Sequence, residues 1–395
     1  MIEYKNVKIF TDNIEQSALQ QVYDLQKSNL FGDEPIRIMP DCHSGAGCVI
    51  GFTAPLTDKV CPNIVGVDLN CGMLCVYLGK VDIDLKKFDD TVKKVVPSGR
   101  NVGEHNDTLA RLLRSLRCYK ELRNVEWLEC SLGTLGGGNH FIELDKDEDG
   151  NLYLVIHSGS RNIGKQVAEI YQDKAERHCK AKGVNELISK MRAEKRYAEI
   201  ENAIKEYKAN NPPIPKELSY IEGKDLEDYL HDVEICREFA NANRESMASA
   251  ILNEMGICCG TNSSFNSFTT LHNYIGEDRI IRKGAIRAEK GERVLIPLNM
   301  RDGCIVGIGK GNKDWNNSAP HGAGRTMSRA QAKRELNLDA FKETMKNVYS
   351  TTVDESTIDE APFAYKPSEE IIALVQDTVE IEKIIKPIYN FKACE

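Results

Sequence analysis

The sequence predicts a mixed α/β (α+β) protein with central β-sheets and one inserted helical hairpin, and three observations carry that prediction. Short apolar runs of strand length recur between Gly- and Pro-rich turns in the first 80 residues and again after residue 279. Two further strand-length runs, Phe141 to Leu144 and Leu152 to His157, each meet a histidine at a glycine-rich end. Between these regions, residues 165–255 are highly charged and helical in pattern, with a break at Asn211-Pro212-Pro213-Ile214-Pro215.

In chain order, strands are expected at Val7 to Phe10, Cys48 to Phe52, Ile64 to Val67 and Met73 to Tyr77, with a helix at Glu15 to Leu25. The segment 165–255 reads as a solvated helical arm inserted into the core. Strands return at Arg279 to Ile286, Arg293 to Pro297 and Cys304 to Gly309, and the C-terminal part is mainly helical, ending on Lys386 to Lys392. No solenoid repeat is present.

Composition narrows the class of function. A chain of 395 residues can bury a large core, and 41% hydrophobic with 28% charged residues excludes wholesale disorder. The 13 cysteines form no disulfide-type framework, and the start Met1-Ile2-Glu3-Tyr4-Lys5 lacks an apolar signal core, so a reducing cytoplasm is expected. No apolar run approaches the roughly 20 residues of a membrane helix, so no membrane partner is expected. A net charge of −8 argues against broad nucleic-acid affinity but allows a local basic groove. Arg279, Arg282, Lys283 and Arg287 place four cations in nine residues, as an edge strand or as such a groove.

The chemistry-bearing residues lie in turns. Ser318-Ala319-Pro320-His321-Gly322-Ala323-Gly324-Arg325 sets a histidine in a glycine-rich turn, and Arg329 follows four residues after Arg325, where a helix over Ser328 to Arg334 would begin. A neutral imidazole there can attack phosphorus, Gly322-Ala323-Gly324 lets backbone N–H groups approach phosphate oxygens, and two guanidinium forks can hold those oxygens. The alternative is a turn histidine beside a surface helix.

Asp68 and Cys71 sit three residues apart, and His140, His157 and His272 occupy similar glycine-flanked positions or strand ends. One carboxylate, one thiolate and three imidazoles suit Zn2+, Mn2+ or Co2+ better than Mg2+ or Ca2+. A thiolate can bridge two ions, with Asp68, Cys71 and His140 on one and Cys71, His157 and His272 on the other. Taken singly, each histidine also reads as a hydrogen-bonded structural residue. Asp41, in Asp41-Cys42-His43-Ser44-Gly45, reads as an Asx-type turn or as a group orienting a ligand imidazole.

With these blocks assembled, the chain resembles the RtcB-type RNA ligases over nearly its whole length. The resemblance rests on Met39-Pro40-Asp41-Cys42-His43, Gly66 to Gly72, Gly133 to Glu143, His157 to Arg161, His272-Asn273, Arg282 to Ala285 and His321 to Arg329. It implies one ligase domain over 1–395 with the helical insertion at 165–255. It implies joining of an RNA 3′-phosphate or 2′,3′-cyclic phosphate to a 5′-hydroxyl with GTP and two Mn2+, His321 carrying GMP covalently and an RNA(3′)pp(5′)G intermediate following.

By the same resemblance, Asp68, Cys71, His140, His157 and His272 hold the metals, and Asn139, Phe141, Glu143, Asn273 and Lys392 hold the guanylate with Gly322, Ala323 and Gly324. Arg161, Arg325 and Arg329 fall where RNA phosphates are held. An archease-like accessory protein and a monomeric state are also expected, as is a compact bacterial variant suited to RNA repair. The sequence departs from the family at Pro297-Leu298-Asn299-Met300-Arg301-Asp302-Gly303, where a Pro-Gly-Ser-Met turn is usual, which implies either a substitute hydrogen bond from Asn299 or a different end preference of the site. Other readings remain: a metal-dependent phosphohydrolase of cyclic phosphate ends, a 3′-end guanylyl-capping enzyme, or a noncatalytic RNA-binding module using Arg279 to Arg287.

Overall fold

The computed structural model describes residues 1–211, 214–257 and 266–393. Its frame is two large β-sheets. A six-stranded sheet has the order Ile2–Tyr4, Val7–Ile9, Ile36–His43, Ile50–Pro55, Ile280–Lys283, Tyr274–Ile275. A seven-stranded sheet has the order Ser267–Leu271, Gly72–Gly79, Leu152–Ser158, Phe141–Lys146, Val379–Lys392, Gly303–Gly309, Arg293–Asn299. Central strands of the second sheet are covered on both faces, so Leu152–Ser158 is buried at every residue and lacks polar alternation.

The parallel pair Val7–Ile9 and Ile36–His43 needs a crossover, and the helix Gln16–Lys27 supplies it, burying the stripe Ala18, Val22 and Leu25. Ile36–His43 is a strand that the sequence reading missed, because Pro40 and Asp41 interrupt its apolar pattern. Ile64 to Val67 is not a strand. Pro62 opens a one-turn helix, Pro62–Val65, and Gly66 ends it with φ of 114°. Arg279 to Ile286 is not one strand either: Gly284, with φ of 61°, breaks it, so Ile280–Lys283 joins the six-stranded sheet while Ala285–Arg287 pairs with Ser318–Pro320.

Residues 165–255 hold most of the helix Arg161–Ala193, then Ile200–Asn210 and Gly223–Met255. They are not simply a solvated arm. Gly223–Met255 buries Tyr229, Val233, Cys236 and Phe239 in the core behind the six-stranded sheet, and Met247, Ala248, Ile251 and Leu252 in the core behind the seven-stranded one. One helix therefore ties the two sheets together. Pro212 and Pro213, the expected break, lie outside the described residues. After three short helices, Arg329–Glu335, Leu338–Thr344 and Ser368–Val375, the chain closes on the 14-residue strand Val379–Lys392 and so is less helical at its end than expected. Among the described residues, no helix is long and apolar enough to cross a membrane.

Candidate functional site: a histidine beside a cysteine–imidazole cluster

Strand order explains why five distant residues meet. The strands Ser267–Leu271, Gly72–Gly79, Leu152–Ser158 and Phe141–Lys146 are antiparallel neighbours, with Leu271 opposite Gly72, Met73 opposite His157, and His157 opposite Phe141. Cys71, His140, His157 and His272 therefore fall on one end of the sheet. Cys71 Sγ lies 3.4 Å from His140 Nε2 and 3.2 Å from His157 Nε2. Asp68 Oδ2 lies 3.2 Å from His140 Nε2, and the Nε2 atoms of His157 and His272 are 3.4 Å apart.

The donor chemistry of this cluster fits a metal. The carbonyls of Leu135 and Asn139 can only accept hydrogen bonds, so His140 Nδ1 (2.9 Å) and His157 Nδ1 (3.1 Å) carry the protons and both Nε2 lone pairs point inward. Burial pushes the Cys71 thiol well above its ordinary range and holds His157 and His272 well below theirs, so protons will not bring cationic charge to this pocket. Cys71, His140 and His157 bring their donor atoms within 4.8 Å of one another, a donor set of the kind that holds a metal ion.

His321 stands beside this cluster, its ring 4.9 Å centroid to centroid from His272. Its Nδ1 donates to Asp41 Oδ2 at 2.7 Å, and its backbone N–H donates to the same oxygen at 3.2 Å. Asp41 is fully buried in the strand Ile36–His43. It forms no Asx turn and orients no ligand of the cluster; it holds the turn histidine. With Nδ1 so occupied, Nε2 keeps its lone pair. Gly324, with φ of 73°, packs so tightly that a Cβ would collide with the Asp41 carbonyl oxygen, which is why the turn needs glycine there.

A cavity of about 450 Å3 joins these groups to the expected nucleotide residues: Asn139, Phe141, Glu143, Asn273, Asn299 and Lys392 all line it. Glu143 is buried, which pushes its carboxyl up to about 7 despite the Asn390 hydrogen bond (2.6 Å) and the nearby Lys392 charge. Asn273 is committed to the backbone, donating to the Asp68 carbonyl (3.2 Å) and accepting from Gly284 N–H (2.9 Å). Asn299 spends its side chain on its own turn, accepting from the N–H groups of Arg301 and Asp302 (both 3.0 Å) and donating to Asp302 (2.8 Å).

A family model described as "tRNA-splicing ligase RtcB" matches residues 21–127 and 120–393. The chain belongs to the RtcB family. The RNA-splicing ligase RtcB of Escherichia coli (strain K12) is 29% identical over 427 residues, covering 98% of this chain and 97% of that protein. The tRNA-splicing ligase RtcB of Aeropyrum pernix is 26% identical, covering 88% of this chain and 85% of that protein.

The cations of this RtcB-family chain divide into three groups. Arg325, Arg329 and Lys392 converge on one buried carboxylate, Glu360, at 3.2, 2.8 and 2.5 Å. Arg329 also reaches Asp359 (2.7 Å), and Tyr365, which lines the cavity, donates to Glu360 (2.8 Å). Those three cations hold the Glu360 carboxyl down to about 2 against its burial. Arg161 does not line the cavity; its guanidinium packs on Gly136 and reaches Thr134 Oγ1 (3.3 Å) and the Gly99 carbonyl (3.4 Å).

Arg282 and Lys283 of the expected basic patch are buried, on Asp278 (2.6 Å) and on the carbonyls of Ala46 (2.5 Å) and Asn63 (2.9 Å). Arg287 is paired with Glu292 (2.8 Å). No basic groove forms there. Sequence reasoning missed Glu360, Tyr365 and the place of His43 in the cavity lining, because a single carboxylate, phenol or imidazole has no periodic signal.

Proposed function

We infer that this RNA ligase of the RtcB family joins an RNA 3′-phosphate or 2′,3′-cyclic phosphate to a 5′-hydroxyl with GTP, through GMP carried on His321. The observation that supports this reading most is a histidine oriented by a buried carboxylate, in one cavity with residues of a metal-type cluster and with Glu143. Asp41 accepts a hydrogen bond from Nδ1–H, which keeps the proton on Nδ1 and leaves the Nε2 lone pair free to attack the α-phosphorus of GTP. A P–N bond forms and pyrophosphate leaves. The Glu143 carboxylate accepts from the guanine N1 and amino donors, and the glycine turn lets phosphate oxygens approach backbone N–H groups.

A 3′-phosphate oxygen of the RNA next attacks the bound GMP, breaking the P–N bond and returning His321. The 5′-hydroxyl then displaces GMP from RNA(3′)pp(5′)G. Arg325 and Arg329 exchange Glu360 for phosphate oxygens as these ends arrive, and Lys392 exchanges it for the guanylate. Asp68, Cys71, His140, His157 and His272 would hold two Mn2+, or Zn2+ or Co2+, which when bound supply Lewis acidity toward phosphate oxygens and toward the water that opens a cyclic phosphate. Residues 1–395 act as one ligase domain with 165–255 as its helical scaffold. Cytoplasmic location, a monomer and an archease-like helper for turnover belong to the same reading.

Protein incubated with Mn2+ and GTP labelled at the α-phosphate tests it. Acid-labile, alkali-resistant label on wild type and none on His321→Ala is the expected result. No label on folded, metal-loaded wild type would favour the phosphohydrolase, which has no use for Glu143 and Lys392 at a nucleotide site. Label followed by RNA(3′)pp(5′)G that is never sealed would identify the capping enzyme.

A further inference from the structure

Of the nucleophiles in that reaction sequence, on which this inference rests, only two carry a proton they must lose. The His321 lone pair is free and the 3′-phosphate oxygen is already an anion. Water opening a cyclic phosphate has the metal cluster to acidify it. The 5′-hydroxyl is left, and an alcohol at neutral pH needs an acceptor.

His43 ends the strand Ile36–His43, two residues beyond Asp41, and lines the same cavity as His321. Its Nδ1 lies 3.0 Å from the Asp41 carbonyl oxygen. A carbonyl only accepts, so Nδ1 carries the proton and Nε2 is a bare lone pair. Among the described residues no protein group hydrogen-bonds to that Nε2. Of the other cavity imidazoles, His157 faces Cys71 and His272, and His321 carries GMP in the earlier step, which leaves His43 as the cavity imidazole with no other role in the sequence.

The electrostatic surroundings suit a base. Burial lowers the affinity of His43 for a proton, and positive charge on His321 and Arg325 lowers it further, against the Asp41 carbonyl hydrogen bond and carboxylate, which raise it. Glu15, which accepts from Ser44 N–H at 2.6 Å, is the remaining charged neighbour. The ring is neutral near pH 7 as a result. In-line displacement of GMP by the 5′-oxygen needs the hydroxyl proton taken up as the P–O bond to GMP breaks, and His43 lines the cavity in which that happens.

We propose that His43 is the proton acceptor for the sealing step. As the 5′-oxygen bonds to phosphorus, the hydroxyl proton passes to His43 Nε2, the P–O bond to GMP breaks, and GMP leaves with the electron pair. Deprotonation of His43 by solvent resets the site.

The test separates sealing from nucleotide transfer. Wild type, His43→Gln, His43→Ala and His321→Ala are given synthetic RNA(3′)pp(5′)G and a 5′-hydroxyl RNA under single-turnover conditions with Mn2+, and enzyme–GMP formation from labelled GTP is measured separately. Both His43 variants should seal about 100-fold or more slowly while still forming enzyme–GMP, which also reports that they fold, and RNA(3′)pp(5′)G should accumulate from GTP. Wild-type sealing should fall as acid protonates His43, a limb that the variants lack. Sealing by both variants at the wild-type rate overturns the proposal, as does a parallel loss of enzyme–GMP, or a His321→Ala protein that alone fails to seal the synthetic adduct. Wild type that seals the adduct but forms no enzyme–GMP would instead sink the GTP reading and leave His43 in place.

Discussion

Replacing Asp41 with alanine removes the one side chain that fixes the attacking histidine. The carboxylate is fully buried and gives His321 two contacts from a single oxygen, 2.7 Å to Nδ1 and 3.2 Å to the backbone N–H. The first strengthens as the ring becomes positively charged in attacking phosphorus, so it stabilises the transition state more than the ground state. A hydrogen bond of that charged kind contributes about 1.5–3 kcal/mol, which converts to a loss of roughly 10- to 150-fold in the rate of enzyme–GMP formation. GTP binding should be little changed, because Asp41 is not among the cavity-lining groups that reach the nucleotide. Asp41→Asn should do at least as badly, since an amide N–H turned toward Nδ1 selects the tautomer with its proton on Nε2. Asp41→Ala leaves the His321 N–H and Nδ1–H without their acceptor, so a loss of about 1–3 kcal/mol of stability should accompany it. The assay is single-turnover labelling at saturating GTP, with a thermal melt as control. Asp41→Ala forming enzyme–GMP at the wild-type rate would refute the reasoning outright.

Cys71→Ala should lose metal at both positions, because Cys71 Sγ is within 3.4 Å of imidazoles on either side; elemental analysis showing the wild-type stoichiometry would rule out a bridging thiolate. If Glu143 holds guanine as proposed, it accepts both donors only when ionised; burial raises its carboxyl to about 7, so GTP affinity should rise as pH climbs through that region. Glu143→Gln should flatten that profile in a binding titration, and a slope persisting in the variant would clear Glu143 of the role. Glu360→Leu leaves three cations facing an apolar side chain and should cost about 3–5 kcal/mol of stability by denaturant titration. The Glu360 carboxyl is depressed to about 2, so its contribution is complete above the ordinary carboxylate value of 4.5 and fades as pH falls toward 2; the deficit of the variant should shrink over that window.

What could be read from the sequence alone were requirements that belong to single residues and their immediate backbone. His321 in a Gly-Ala-Gly turn, and His140 and His157 at glycine-flanked strand ends, are readable because the turn chemistry and the side chain are neighbours in the chain. The helices Gln16–Lys27 and Arg329–Glu335 were readable for the same reason, from a buried stripe and from the Ser328 cap accepting from Gln331 N–H.

Partnership between distant segments was not readable, since hydrophobic periodicity says which face is buried and not what is buried against it. Asp41 and His321 are 280 positions apart, and only the packing of the strand Ile36–His43 beneath the turn makes one the holder of the other. Lys283 and Arg282 looked like a basic surface until Gly284 sent the two halves of their run into different sheets and buried both cations. Glu360 gathers Arg325, Arg329 and Lys392 because a short turn and the last strand arrive at one point, and that convergence exists only in three dimensions.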